Sequence, residues 1–285
     1  MERLGYIADE AIATALFLAR EMRKPLLVEG VAGSGKTELA KVLARLLSTE
    51  LIRLQCYEGL DVNTALYEWN YPRQMLRARM AEQDGQSAAE IEDMIFGRAY
   101  LLERPLLRAI TRHEGPAVLL IDEIDRADEG FEAFLLEILS DFQITIPELG
   151  TIRAEHVPYV VLTSNRSREI GDALRRRCLY LYVEHPGLEK EVRIIRTKVP
   201  GASDQLAREI SQFMHKLRGR RLAKAPGVAE SIDWAQALVR LHRPYLDPQV
   251  VADTIGCFLK DRHDIEDLDR AQIGAMVEEV RSTGA

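Results

Sequence analysis

Residues 25–47 read PLLVEGVAGSGKTELAKVLARLL. Pro25 to Glu29 are almost wholly apolar and read as a buried strand, and Lys36 to Leu47 follow with the spacing of an amphipathic helix. Between them Gly30, Val31, Ala32, Gly33, Ser34, Gly35, Lys36 and Thr37 satisfy GxxxxGK[ST]. Glycines let the backbone curl until several N–H groups point at one phosphate, and the helix that follows adds the positive end of its dipole. In such a loop the lysine reaches the β and γ phosphates and the hydroxyl ligates Mg²⁺. A chance glycine turn would not need a buried strand before it and a helix after it.

Outward from this loop, short apolar runs alternate with helical patterns. Leu51 to Gln55, Pro116 to Asp122, Pro158 to Thr163 and Leu179 to Val183 read as four further strands. Strands separated by helices predict βαβ units and a parallel sheet, hence an α/β class. After Val183 the pattern changes. Pro186 and Gly187 mark a hinge, and the remainder shows helical periodicity alone: Leu188 to Lys198, Ser203 to Leu217, Val228 to His242, Pro248 to Lys260 and Leu268 to Arg281. The expected division is an α/β nucleotide-binding domain over 1–184 and a small all-α lid over 185–285. Gln83 to Ala88 reads as an exposed loop.

The chain has 285 residues, of which 47% are hydrophobic and 29% charged, with a net charge of −7. That composition supports a sizeable core and argues against a general nucleic-acid or membrane-surface binder. Cys56, Cys178 and Cys257 are far apart and form no CxxC pair, so they read as apolar fillers in a reduced compartment. The N-terminal MERLGYIADEAIATALFLAREMRK reads as an amphipathic helix, and no segment approaches a membrane span. The expected location is cytoplasmic.

Two polar strand ends and one arginine run complete the candidate site. VLLIDEID ends an apolar strand with Asp122 and Glu123, where a carboxylate is costly without a partner. Asp122 is suited to holding Mg²⁺ and Glu123 to polarising an attacking water. Asp125 reads as a surface charge or an N-cap. VVLTSN places Asn165 at the next strand end, either as a ligand to water or γ-phosphate or as a turn former. DALRRRCLYLYV places Arg175, Arg176 and Arg177 before the last strand; arginine suits the spread charge of a transferring phosphoryl group.

With these motifs in this order, the chain resembles the AAA+ ATPases of the P-loop class, and within them the MoxR branch. The stretch LQCYEGLDVNTALYEWNYPRQML is similar to the accessory ATPases encoded with carbon monoxide dehydrogenases. The resemblance implies ATP and Mg²⁺ as cofactors and a five-stranded parallel core with a helical lid. It matches Lys36 and Thr37 to Walker A, Asp122 and Glu123 to Walker B, and Asn165 to sensor 1. It assigns an arginine finger, used in trans, to Arg176 or Arg177, with Arg176 favoured. It implies a homo-oligomer, usually a hexameric ring, a von Willebrand factor A domain partner, and an apo-metalloenzyme client such as a carbon monoxide dehydrogenase-like enzyme. Asp61 to Tyr71 and Phe142 to Arg153 look like the branch's two insertions, the second a hairpin turning about Glu148, Leu149 and Gly150. The branch's sensor 2 arginine has no counterpart in APGVAESIDWAQAL, and Arg220 and Arg221 are weak substitutes. Tyr57, Tyr67, Trp69 and Tyr71 read either as client contacts or as core. The expected function is a client-remodelling chaperone, with a nucleic-acid-directed motor subunit as the alternative; a scaffold without turnover fits poorly with Glu123.

Overall fold

A computed structural model of the chain describes residues 1–283. The first elements are α1 (Glu10–Met22), β1 (Leu26–Gly30), α2 (Lys36–Leu46) and β2 (Leu51–Gln55). An inserted stretch follows, with the single turn α3 (Val62–Ala65), β3 (Tyr67–Trp69), α4 (Tyr71–Gln83), α5 (Ala88–Ile95) and β4 (Leu101–Glu103). The chain returns to the sheet through α6 (Pro105–Thr111), β5 (Val118–Asp122) and α7 (Glu129–Asp141). A hairpin of β6 (Gln143–Ile146) and β7 (Gly150–Arg153) precedes β8 (Tyr159–Ser164), α8 (Asp172–Arg177) and β9 (Leu179–Val183). Six helices close the chain: α9 (Leu188–Lys198), α10 (Asp204–Arg218), α11 (Val228–Arg240), α12 (Pro248–Thr254), α13 (Arg262–Glu266) and α14 (Arg270–Thr283).

The main sheet is five-stranded and parallel, in the order β2-β5-β8-β1-β9. β1 and β5 are buried along their whole length, as apolar strands covered on both faces must be. Leu27, Leu119, Ile121 and Leu162 of the sheet pack with Leu106 and Ile110 of α6 and Phe131, Leu135 and Ile138 of α7. Because neighbouring strands run the same way, β1, β8 and β5 end at one edge, with Glu29 opposite Ser164 and Ile121 opposite Leu162.

The chain divides into two compact units. One holds Glu10–Glu29 and Leu39–Tyr182, and with them most of the sheet, the insertion and the hairpin. The other gathers Met1–Asp9, Gly30–Glu38 and everything from Val183 onward. Its core is aromatic: Phe213, Trp234 and Phe258 are fully buried, with Trp234 and Phe258 ring centroids 4.4 Å apart. The Trp234 indole donates to Thr254 Oγ1 at 2.8 Å, so the ring's polar edge is satisfied.

Some expected elements change shape. The N-terminal helix begins only at Glu10; a 3₁₀ turn over Glu2–Leu4 ends at Gly5, whose φ of 73° is left-handed and stops it. The helix expected over Pro248 to Lys260 gives way after Thr254 to a 3₁₀ turn, Ile255–Cys257. Thr254 donates back to the Val250 carbonyl, and Gly256 follows, which together weaken the helical ladder. Asp261 then caps α13, a helix too short for its periodicity to be read. The hairpin forms as expected, with Leu149 N–H donating to the Ile146 carbonyl and Gly150 at φ 74°.

In the helical unit, Glu191 and Arg218 form an ion pair that is largely shielded from solvent. Glu191 of α9 is fully buried and accepts both Nη1 (2.6 Å) and Nη2 (2.7 Å) of Arg218, while the Ser231 hydroxyl donates to Oε1. Arg218 Nε also donates to the Pro226 carbonyl at 2.8 Å. Removing one partner of such a pair strands a buried charge. Arg218→Met is therefore expected to lower unfolding free energy by about 3–5 kcal/mol, read in urea by tryptophan fluorescence. Glu191→Leu in the same chain should restore most of that loss, and a single-variant loss below about 1 kcal/mol would contradict the pairing.

Candidate nucleotide site

The loop that follows β1 belongs to the helical unit. Gly30 has φ 155°, and a Cβ there would stand 2.0 Å from the Val183 carbonyl oxygen, so no side chain fits. Gly33 has φ 73°, and a Cβ there would meet Gly227 Cα at 3.1 Å. The Gly33 carbonyl accepts the N–H of Val228, the first residue of α11. Lys36 is buried, and its Nζ donates to the carbonyls of Gly30 (2.9 Å) and Val31 (2.7 Å). The Ser34 hydroxyl is buried without a hydrogen-bond partner. A cradle that a Cβ would fill, a buried ammonium and an orphaned hydroxyl are what a phosphate would satisfy.

In the other unit, the strand ends carry the polar residues. Asp122 is 2% exposed, and each of its carboxylate oxygens is used. Oδ1 accepts from the Thr163 hydroxyl; Oδ2 accepts from Arg53 Nε at 3.0 Å and Nη2 at 2.6 Å. Thr163 Oγ1 in turn accepts the N–H of Glu123 at 3.0 Å. Glu123 adopts the left-handed region, φ 57° and ψ 50°, which is uncommon for a residue with a Cβ and is found at functional sites. Its carboxylate pairs with Arg126 Nε at 2.7 Å and is one-third exposed.

Asp125 is neither a surface charge nor an N-cap. It is buried, and it clamps the turn after β8: Oδ1 accepts the Asn165 N–H at 3.2 Å, and Oδ2 accepts the Ser167 N–H at 2.9 Å and its hydroxyl at 2.6 Å. The Asn165 backbone is thus fixed, while its side-chain amide makes no hydrogen bond among the described residues. Asp125 and Arg53 are the two residues sequence reasoning missed. The signal for Asp125 is its place three residues after the strand-end Asp122; for Arg53 it is a charged residue at the centre of the strand LIRLQ.

The three arginines of α8 separate. Arg175 Nη2 lies 3.5 Å from Glu29 Oε2, and Glu29 is itself buried and hydrogen-bonded by the Tyr180 hydroxyl. Arg177 donates from Nε to Ser140 Oγ and from Nη1 to the Ala173 carbonyl. Arg176 is exposed and has no partner among the described residues. Arg220 donates to Gln272, so it is turned toward α14. The guanidinium that reaches the start of α11 is that of Arg218, the last residue of α10, whose Nη2 donates to the Gly227 carbonyl at 3.2 Å.

The aromatics divide as well. Trp69 is core, edge-on to Phe96 at 5.4 Å, and Tyr67 packs against the same cluster. Tyr57 and Tyr71 are exposed, and so are Met75, Leu76 and Met80 of α4. Burial pushes the Cys56 thiol up to about 12, helped by Asp122, and burial alone raises Cys178 to about 12. Both thiols stay protonated at neutral pH, which makes them poor nucleophiles. No helix among the described residues is long and apolar enough to cross a membrane.

The domain family described as AAA domain (dynein-related subfamily) matches residues 25–178. An uncharacterized protein of Staphylococcus aureus (strain bovine RF122 / ET3-1) is 25% identical over 236 residues, covering 80% of each chain. Another, of Staphylococcus haemolyticus (strain JCSC1435), is 24% identical over 244 residues, covering 82% of each. Among solved structures, the Thermotoga maritima RuvB Holliday junction branch migration motor superposes with a TM-score of 0.51 at 20% identity, over 93% of this chain and 72% of that one. A mutant of the Thermotoga maritima RuvB protein gives the same TM-score of 0.51 at 18% identity, over 92% and 70%. That likeness is one of fold. The family match covers more than half of the chain, its span taking in the phosphate loop, Asp122, Glu123, Asn165 and the arginine run; the chain belongs to the AAA domain family, dynein-related subfamily, and is an AAA+ ATPase.

Proposed function

We propose that this chain is a Mg²⁺-dependent, MoxR-type AAA+ chaperone that uses ATP turnover to remodel a client protein in the cytoplasm, the client being an apo-metalloenzyme awaiting its cofactor. The ATPase half is supported above all by the loop Gly30–Thr37, where a buried Lys36 and an orphaned Ser34 hydroxyl fit a phosphate. Hard oxygen donors suit Mg²⁺, so Thr37 and Asp122 would hold it. When bound, that ion supplies neutralising charge to the phosphates. Glu123 takes up the proton of the attacking water, and Asn165, its backbone fixed by Asp125, offers a free amide to orient that water. Arg176, exposed and unengaged, is the side chain best disposed to serve a neighbouring copy; Arg177 would first have to leave Ser140.

The chaperone half rests on the resemblance to the MoxR branch and to the ATPases that accompany carbon monoxide dehydrogenases. The insertion is consistent with it, since Tyr71, Met75, Leu76 and Met80 of α4 are large apolar side chains left exposed to solvent. In this reading the chain works as a ring, hexameric in the branch, with a von Willebrand factor A domain partner.

The experiment is a substrate trap. Tagged Glu123→Gln protein is expressed, purified with Mg²⁺ and ATP, and its retained proteins are compared with those on Lys36→Ala. Glu123→Gln should bind ATP while losing turnover by about 10²-fold or more, and Lys36→Ala should lose ATP binding. Enrichment of a metalloenzyme subunit or a von Willebrand domain protein is the expected result. Recovery of nucleic acid or its processing proteins would replace the chaperone with a nucleic-acid motor, and rapid turnover by Glu123→Gln would mean another base.

Subunit mixing tests the shared site. Arg176→Ala and Glu123→Gln chains should each be inactive, yet mixed rings should regain turnover if the finger acts on the neighbour. A finger in trans is worth about 10³–10⁵ in rate, so even partial rescue is measurable by phosphate release. The same mixture made with Arg177→Ala identifies which arginine serves; no rescue with either, while rings still form, would exclude a site shared between copies.

A further inference from the structure

We propose that Arg53 is a built-in competitor for the divalent cation at Asp122, setting how strongly nucleotide binding depends on metal. The proposal rests on the reading of Asp122 as a metal ligand. It is carried by the pairing of β2 with β5, which sets Gln55 opposite Asp122 and Arg53 opposite Leu120. Side chains two residues apart on a strand share a face, so Arg53 and Gln55 lie together beside the Asp122 carboxylate. Arg53 aims both Nε and Nη2 at the single oxygen Oδ2, and Nη2 also meets Gln55 Oε1.

The two carboxylate oxygens are therefore not equivalent. Oδ1 is engaged by the buried Thr163 hydroxyl, which also holds the Glu123 backbone and cannot leave without loosening it. Oδ2 is engaged by an arginine whose side chain is half exposed, against 3% for Asp122. Of these two engagements the one at Oδ2 is the cheaper to release: a half-exposed guanidinium swings into water at little cost. A divalent cation and a guanidinium cannot share that oxygen at contact distance, because like charges so close repel strongly. Binding of the cation at Asp122, directly or through a water of its shell, thus exchanges one positive group for another. Arginine suits the role because it is always charged and its fork locks onto one carboxylate. Without a metal it helps to compensate a buried carboxylate. With metal present it raises the concentration needed.

The test measures affinity for a fluorescent ADP, the N-methylanthraniloyl derivative, on the full chain, once with Mg²⁺ and once with EDTA. The ratio of the two dissociation constants is the Mg²⁺ enhancement. In Arg53→Gln the cation no longer displaces a guanidinium, and the Asp122 carboxylate has lost one compensating charge. Both effects push the enhancement up, by about fivefold for a half-exposed pair. Arg53→Lys, which keeps the charge and loses the fork, should fall between. An enhancement in Arg53→Gln equal to or below that of the unmodified chain overturns the proposal. If Arg53→Gln fails to fold by circular dichroism, Arg53→Lys decides: a raised enhancement supports the competition and an unchanged one overturns it. Asp122→Asn separates the two layers. Retention of the full enhancement there removes the metal assignment and the competition with it. Its loss there, with Arg53→Gln unchanged, overturns the competition alone.

Discussion

Parallel strands must deliver their carboxyl ends to one edge of the sheet, and here β1, β8 and β5 are adjacent and nearly in register. Whatever polar group ends each strand therefore arrives among the others in a place the surrounding core keeps dry. Glu29, Asp122 and Ser164 are all buried at that edge. A buried carboxylate survives only with partners, and each has recruited them: Tyr180 and Arg175 for Glu29, Arg53 and Thr163 for Asp122. The charges at this edge are a consequence of topology, and the arginines and hydroxyls around them are what makes the topology tolerable.

Much of this is legible in the sequence. The strands Leu51–Gln55 and Leu179–Val183 and the helix Leu188–Lys198 have the bounds their patterns announce, because apolar period and flanking breakers agree there. GVAGSGKT announces its own conformation because only glycine satisfies it at Gly30 and Gly33. What stayed hidden depends on register and on distance along the chain. Arg53 meets Asp122 across 69 residues, and Asp125 reaches Ser167 across 42. No local periodicity encodes either contact. Likewise α13 is a five-residue helix, too short to show a period, and Gly5 stops the N-terminal turn where amphipathic spacing suggests continuity.

The arginine run illustrates the same limit at close range. Arg175, Arg176 and Arg177 are chemically identical and adjacent, and at about 100° per residue they leave α8 in three directions. One meets the buried Glu29, one folds onto Ser140, and one meets solvent. Composition alone assigns all three to a solvated helix end. Only the identity of the residue each direction encounters sorts them, and that sorting gives Arg176 a different chemical availability from its neighbours.

The last constraint lies in the helical unit, where two glycines face one another. A Cβ on Gly33 would meet Gly227 Cα at 3.1 Å, and a Cβ on Gly227 would meet Gly33 Cα at 2.8 Å and the Ala32 carbonyl at 2.7 Å. With both positions bare, the Val228 N–H reaches the Gly33 carbonyl at the start of α11. Beneath that junction the Pro226 and Gly227 carbonyls are held by Arg218, and Arg218 by the buried Glu191. The loop that would hold a phosphate is thus joined by a hydrogen bond to a helix whose own start is held by the ion pair of Arg218 with the buried Glu191. A shift of that loop cannot be absorbed locally, since closely packed backbone leaves no slack. It must either break the bond to Val228 or carry α11 with it. This gives the unit a direct mechanical link between loop and helix that needs no arginine within APGVAESIDWAQAL itself.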